Sequence, residues 1–345
     1  MNNARWIVVT TINPPTETVR RLAELCPEWQ ILVVGDRKTP PDWHYPGVRF
    51  LSVDEQKTLP FALAERSPFN HYARKNLGYL YAIAHGAEVL LETDDDNIPY
   101  DWYPGAVSPA IVARSVESAG WQNVYRHFSS ARIWPRGFPL EFVNESLRTD
   151  CALSPPFEQT CAIQQFLADE NPDVDAVYRL TTEGDIFFRG EDVVLGSGSW
   201  CPFNSQNTLW WPQAFTYLYL PCSATFRMTD IWRSFVAQAC LFASGGRLAF
   251  RGANMFQRRN DHSLIRDFAD EVSGYLNNVA IMDKLSRLPL AGIDPAAQLD
   301  ACYEQMTASG YLRPEELDLA RLWLADLQSA RIQAQSAKPS LPLIA

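Results

Sequence analysis

The chain has 345 residues, with 30 Lys and Arg against 40 Asp and Glu, a formal net charge of −10. A content of 47% hydrophobic and 20% charged residues is that of a globular protein and excludes disordered, collagen-like and coiled-coil classes. The acidic balance also excludes a protein held to nucleic acid by a broad basic surface, while leaving room for a nucleotide bound by a few local donors.

In chain order, residues 5–12 are an apolar, β-branched run ended by Asn13-Pro14-Pro15, which reads as a first strand. Thr16 then caps a helix whose apolar positions Val19, Leu22, Ala23 and Cys26 recur at helical spacing. The runs 31–34 and 48–53 predict further strands, the first stopped by Gly35-Asp36. Residues 72–85 predict a helix with Leu77, Leu80, Tyr81 and Ala84 on one face and Gly86 at its end. Residues 88–93 predict the next strand, and Asp94-Asp95-Asp96-Asn97 sits where it stops. From about 104 to 225 the pattern is irregular and rich in Pro, Trp and Phe, with 176–180 as a candidate short strand. Helices are expected around 230–244 and 263–276, and the last fifty residues read as helical, with Leu317, Ala320, Leu324 and Leu327 inward.

Strand–helix alternation of this kind predicts a mostly parallel sheet covered by helices, with ligands beyond the carboxyl ends of its strands. The acidic cluster therefore stands where a ligand is expected. No apolar run reaches the ~18 residues of a membrane span, and the N-terminus enters a strand without a signal-like core. The seven Cys are scattered without a C-x-x-C pair, which reads as reduced thiols and a cytoplasmic protein.

The strongest local signal is Glu92-Thr93-Asp94-Asp95-Asp96-Asn97-Ile98-Pro99. Three consecutive carboxylates repel one another, and a hard divalent cation, Mg²⁺ or Mn²⁺, compensates them through oxygen ligands shared with a substrate phosphate. On an extended segment Asp94 and Asp96 point the same way and Asp95 the other; the alternative is a solvated acidic turn. Arg74 and Lys75 open the preceding helix, where cations oppose the macrodipole, so they are expected to pair with the carboxylates or to grip a diphosphate. The aromatic residues Trp200, Trp210, Trp211, Tyr217, Tyr219 and Trp232 suit either an acceptor groove or a core.

The ordered set Trp6–Pro14 (WIVVTTINP), Val33–Pro40 (VVGDRKTP), Tyr72–Ala87 (YARKNLGYLYAIAHGA), Glu92–Pro99 (ETDDDNIP), Pro202–Trp210 (PFNSQNTLW), Phe226–Arg233 (FRMTDIWR) and Phe256–Glu271 (FQRRNDHSLIRDFADE) resembles the GT-A glycosyltransferases. More narrowly, it is similar to the STELLO-like glycosyltransferases, related to the reversibly glycosylated polypeptides that act as nucleotide-arabinose mutases. The resemblance implies that Thr10, Thr11 and Ile12 lie under the base and ribose of a nucleotide, and that Asp36 accepts a hydrogen bond from the base with Lys38 nearby. It implies that Asp94 and Asp96 bind the metal, with Asp95 the alternative to Asp94, and that Arg74, Lys75, Arg258 and Arg259 meet diphosphate or carboxylates. Asp230 would be the general base and His262 a further metal ligand.

The expected fold is thus α/β, a GT-A-like, Rossmann-type, mostly parallel central sheet flanked by helices, with a helical C-terminal extension. Residues 1–103 would form the nucleotide-sugar half, 104–277 the acceptor and catalytic half of the same domain, and 278–345 the extension. The expected function is a metal-dependent glycosyltransferase using Mn²⁺ or Mg²⁺ and a nucleoside diphosphate sugar, a uridine one, with a glycan, small molecule or protein as acceptor. The rival readings are a nucleotide-sugar mutase and a non-catalytic sugar- or partner-binding scaffold. A nucleotidyltransferase is disfavoured, because Asn13-Pro14-Pro15 stands where its Gly-rich loop would be. No nucleic-acid partner and no membrane span are expected, and the C-terminal helices either cover the core or pair two copies.

Overall fold

The computed structural model describes residues 4–149, 151–258 and 263–337. Strands β1 (Arg5–Thr11), β2 (Gln30–Gly35), β3 (Val48–Leu51) and β4 (Val89–Asp94) pair in parallel in the order β3-β2-β1-β4. Their near-continuous apolar runs are what a strand covered on both faces requires. Between them lie α1 (Glu17–Leu25), α2 (Val53–Lys57), α3 (Ala62–Arg66) and α4 (Lys75–Ala84). Thr16 caps α1 by accepting from the Val19 amide, as its position predicts. β3 stops two residues short of its expected end, because Ser52 and Glu55 form a capping box that turns the chain into α2.

The second half supplies β5 (Asn97–Pro99), β6 (Ala110–Ser115), β7 (Gly120–Trp121), α5 (Leu140–Ser146), β8 (Phe157–Thr160) and β9 (Ile163–Glu170). It continues with α6 (Ala176–Thr181), β10 (Val193–Leu195), β11 (Ser199–Trp200), β12 (Asn207–Trp210), α7 (Thr229–Ala243) and β13 (Leu248–Gln257). The sheet runs on from β4 through β12-β9-β13-β10-β6-β8, with β5 on β13, to eleven strands, and β7 pairs with β11 apart from it. Parallel pairing rules the first half; β12 is antiparallel to both its neighbours, so the second half is mixed. Residues 176–180, expected as a strand, are helical, because Asp175 accepts from the Tyr178 amide at 2.8 Å and starts a helix there.

The C-terminal helices are α8 (Leu264–Ser286), α9 (Pro295–Ala308) and α10 (Glu315–Ala337). α10 packs on α3, α4 and α9 and buries Ala320, Trp323 and Leu327 there. Asp326 accepts from the Ala62 and Leu63 amides at 3.0 and 2.8 Å, capping α3 from 263 residues away. The apolar face of α10 is thus covered by its own chain. The aromatic residues Trp200, Trp210, Trp211, Tyr217, Tyr219 and Trp232 are all buried. Of the two uses open to them, groove and core, the structure has them in the core.

α4 lies against β1 and β2 because Gly78 lets it. A Cβ at that position would stand 2.6 Å from Val8 Cγ1 and 2.7 Å from Val34 Cγ2. Overpacking of that kind costs about 1–3 kcal/mol. Gly78→Ala is expected to lower the urea midpoint by a corresponding amount with the slope unchanged; an unchanged midpoint would show that the helix is free to move off the sheet.

Candidate functional site

The parallel register sets the carboxyl ends of β1, β2 and β4 at one sheet edge, with Thr11 beside Gly35 and Thr10 beside Asp94. A cleft of about 480 Å³ opens there. Thr10, Thr11, Ile12, Asp36, Lys38, Arg74, Asp94, Asp95, Asp96 and Asp230 all line it. Lys75 lies directly behind, fully buried. Arg258 is exposed, ion-paired to Glu17 at 3.4 Å. Arg259 and His262 lie outside the described residues.

Each carboxylate has a different environment. The chain does not stay extended through the cluster: β4 ends at Asp94, and Asp95 and Asp96 form a turn before β5. The two-residue alternation therefore fails, and all three aspartates reach the same cleft. Lys75 Nζ and Tyr72 OH each meet Asp94 Oδ1 at 2.9 Å. Asp95 accepts from Thr11 Oγ1 and, at 3.0 Å, from Asn13 Nδ2. Burial pushes the Asp95 carboxyl up, against those two hydrogen bonds. Asp96 accepts from Gln257 Nε2 at 2.9 Å. Burial first, and then the Asp94 charge, push its carboxyl up to about 7.

Arg74 makes no carboxylate pair among the described residues: Nε donates to Gln56 Oε1 at 2.7 Å and Nη1 to Ser67 O at 3.1 Å, with the fork 4.2 Å from the Phe69 ring centre. Of the two cations that open this helix, Lys75 holds a carboxylate and Arg74 braces the loop before it. Glu92, which the sequence groups with the three aspartates, points elsewhere. It is fully buried and meets Arg233 at 2.8 Å, with Trp210 Nε1 at 2.8 Å and Tyr79 OH as further donors. Asp36 accepts from the Arg37 and His71 amides at 2.7 and 3.1 Å.

Asp230 sits in the first turn of α7 without capping it. Arg136 grips it with two bonds, Nη1 to Oδ1 at 2.9 Å and Nη2 to Oδ2 at 2.8 Å, and grips Asp173 at 2.8 Å from the same fork. Ser205 donates to Asp230 Oδ2 from its amide, at 3.2 Å. Burial alone would raise the Asp230 carboxyl, but the Arg136 charge outweighs it and holds it well below the usual carboxylate range. A carboxylate so held takes up a proton weakly, which favours anchoring over proton abstraction.

Sequence reading missed Arg136, Asp173, Tyr72 and Gln257 as cleft residues or their direct supports. Arg136 and Asp173 lie in the irregular middle of the chain, where no periodicity marks them. The one local trace is Gly137, which has a φ of +83° and where a Cβ would stand 2.5 Å from Ile231 Cγ2, so that only glycine lets the Arg136 segment lie this close to α7.

Hard oxygen donors at Asp94, Asp95 and Asp96, with Asp96 lacking a cationic partner among the described residues, fit a divalent cation by donor chemistry. No group of three His, Cys, Asp or Glu arranged to hold a metal ion occurs among the described residues.

A mixed α/β sheet places this cleft at the carboxyl ends of its first strands, where ligands of α/β proteins bind, and the architecture is consistent with a GT-A-like fold. Residues 227–337 match the family described as STELLO glycosyltransferases. The chain is 33% identical over 293 residues, 79% of its length, to the probable glycosyltransferase STELLO2 of Arabidopsis thaliana, covering 38% of that protein. It is 30% identical over 348 aligned positions, 94% of its length, to the probable glycosyltransferase STELLO1 of the same plant, covering 44% of it. These matches support a glycosyltransferase family, and the chain is STELLO-like. It spans under half the length of the curated relatives it matches. A solved mycobacterial protein aligns over 81% of this chain and 76% of its own at 9% identity and a TM-score of 0.41, too distant to bear on the fold. No helix of the described residues is long and apolar enough to cross a membrane.

Two outcomes follow from the cleft. Arg136→Met leaves Asp230 buried without its ion-pair partner, and Asp173 with Arg227 alone at 3.7 Å, a loss of about 3–5 kcal/mol readable by chemical denaturation; a loss below ~1 kcal/mol would show that the pair is solvated. The Asp96 carboxyl is raised in the folded chain above its ordinary 3.8. It therefore contributes stability that is complete below pH 3.8 and lost as pH rises to and through about 7. In chelator-treated protein the melting temperature of Asp96→Asn is expected to gain on wild type as pH rises across that window; a constant difference between the two would place Asp96 in water.

Proposed function

We propose that the cleft binds a uridine diphosphate sugar and transfers the sugar to an acceptor hydroxyl, with Mg²⁺ or Mn²⁺ held by Asp94 and Asp96. The observation that carries this reading is the convergence on one cleft of the ends of β1, β2 and β4 with α7, around a carboxylate cluster whose Asp96 has no cationic partner among the described residues. When bound, the cation offsets the charge that develops on the departing diphosphate. Thr10, Thr11, Ile12, Asp36 and Lys38 form the wall beyond β1 and β2 and would receive the base and ribose.

Lys75 and Tyr72 fix the Asp94 carboxylate, so that its orientation does not depend on the ligand. Thr11 and Asn13 do the same for Asp95, and Gln257 for Asp96. In the transfer the bond from the anomeric carbon to the diphosphate oxygen breaks, a bond to the acceptor oxygen forms, and the acceptor hydroxyl gives up its proton. Asp230, clamped by Arg136, would orient that hydroxyl by accepting its hydrogen bond. Its depressed proton affinity points to water or the leaving phosphate as the final proton carrier.

The test is a thermal-shift panel of nucleotide sugars with and without Mn²⁺, followed by release of the nucleoside diphosphate. At a hundredfold excess over Kd the wild type is expected to gain about 4 °C, only with metal present, and Asp96→Asn to lose both the shift and the turnover. Equal turnover in the two proteins would end the metal role of Asp96, and no shift with any donor would end the donor reading.

A further inference from the structure

A second concavity lies apart from the donor cleft and shares no lining residue with it. It has a volume of about 990 Å³ and opens between the turn at Val124–His127 with the loop that follows, the end of α5, and the segment carrying Phe187 and Arg189. Arg126, Arg132, Arg148 and Arg189 line it, and no Asp or Glu does among the described residues. In a chain with 40 acidic residues against 30 basic, that is a local reversal of sign. Arg189 is answered by Asp169 at 3.2 Å, but Arg132 and Arg148 have no acidic partner among the described residues, and an anion would lower the energy of that like charge.

The cavity is built by specific backbone contacts. The Arg189 amide donates to Phe128 O at 2.6 Å. A Cβ at Gly190 would stand 2.4 Å from His127 O, so the two segments approach as closely as glycine allows. The guanidinium groups are also held in place. Arg132 Nη2 donates to Asn144 Oδ1 at 3.1 Å, and Arg189 Nη1 donates to Phe188 O at 2.6 Å and reaches Asp169 at 3.2 Å. Among the described residues these ties engage one terminal nitrogen of each fork, and a guanidinium carries five N–H donors. Arg148 is exposed at the end of α5. Phe187, half exposed, stands beside the Arg189 fork at 5.7 Å and offers a flat apolar wall.

Forks fixed in this way match the paired oxygens of phosphate and sulfate groups. We propose that this cavity is a binding site for a small oligoanion, a ligand carrying two or more phosphate or sulfate groups. The site is independent of the donor cleft and does not rest on the glycosyltransferase reading. Its concave form suits a compact ligand, and the acidic remainder of the chain gives no track for a long nucleic acid.

Isothermal titration of the full chain with sodium tripolyphosphate, and separately with a sulfated disaccharide, tests the site. Arg132 and Arg148 are both exposed, so Arg132→Glu/Arg148→Glu is expected to melt like wild type. Its affinity for the anion should fall about tenfold or more for each arginine reversed, and wild-type binding should weaken steeply with added salt. A control pair, Arg66→Glu/Arg313→Glu, changes the net charge equally and should bind like wild type. Preference for tripolyphosphate identifies a phosphorylated ligand, and preference for the disaccharide a sulfated one. Absence of binding, equal loss in the control pair, or displacement of the anion by a nucleotide sugar would each overturn the proposal.

Discussion

A charge taken out of water must find a partner, and around this cleft that requirement orders the packing. Glu92 and Arg233 are both fully buried and meet at 2.8 Å, with Arg233 4.9 Å over the Trp210 ring. Leaving either unpaired would cost about 3–5 kcal/mol, a large share of the stability of an ordinary domain. The pair ties α7 to the centre of the sheet across 141 residues of sequence. Asp230 is three residues before Arg233, on the same face of α7, so the contact that seats the helix also delivers Asp230 to the cleft.

From that anchor a continuous polar chain crosses the floor of the site. Lys75 and Tyr72 meet Asp94, Tyr72 meets Ser205, Ser205 meets Asp230, and Arg136 joins Asp230 to Asp173. Its ends come from the first parallel strands and from the mixed second half of the sheet. Charged members of such a network are stable in the interior because each is satisfied by another, and the loss of one leaves a buried charge exposed to its full desolvation cost. The cleft is therefore rigid in its floor. Asp95 and Asp96 are the exceptions, with uncharged hydrogen-bond donors and raised carboxyls.

Much of the side built by the first four strands was legible in the sequence because it is local. The apolar runs of β1, β2 and β4, the Thr16 cap, the Gly86 stop and the placement of Asp94 beyond a buried strand each depend on a few neighbouring residues. The acidic cluster was read as extended, and its turn at Asp95 and Asp96 set all three carboxylates toward one cleft. The aromatic residues between 200 and 232 suited a groove as well as the commoner core; a side chain's type does not record which way it faces. Arg136 and Asp173 had no local signal, since an isolated Arg or Asp in an irregular segment takes its meaning from a partner far along the chain.

What the sequence determined by itself was the class of fold, the location of the acidic cluster at a strand end and the resemblance to a family, all of which rest on short-range pattern. Pairing was decided only by the tertiary structure. Glu92 turned from its neighbours to Arg233, Lys75 went to Asp94 while Arg74 went to Gln56, and Asp230 became the partner of Arg136. The net charge of −10 likewise concealed a cavity lined by four arginines. The physical reason is common to all of these: the energy of a charge depends on its burial and on the groups within a few ångströms, and the folded chain alone fixes both.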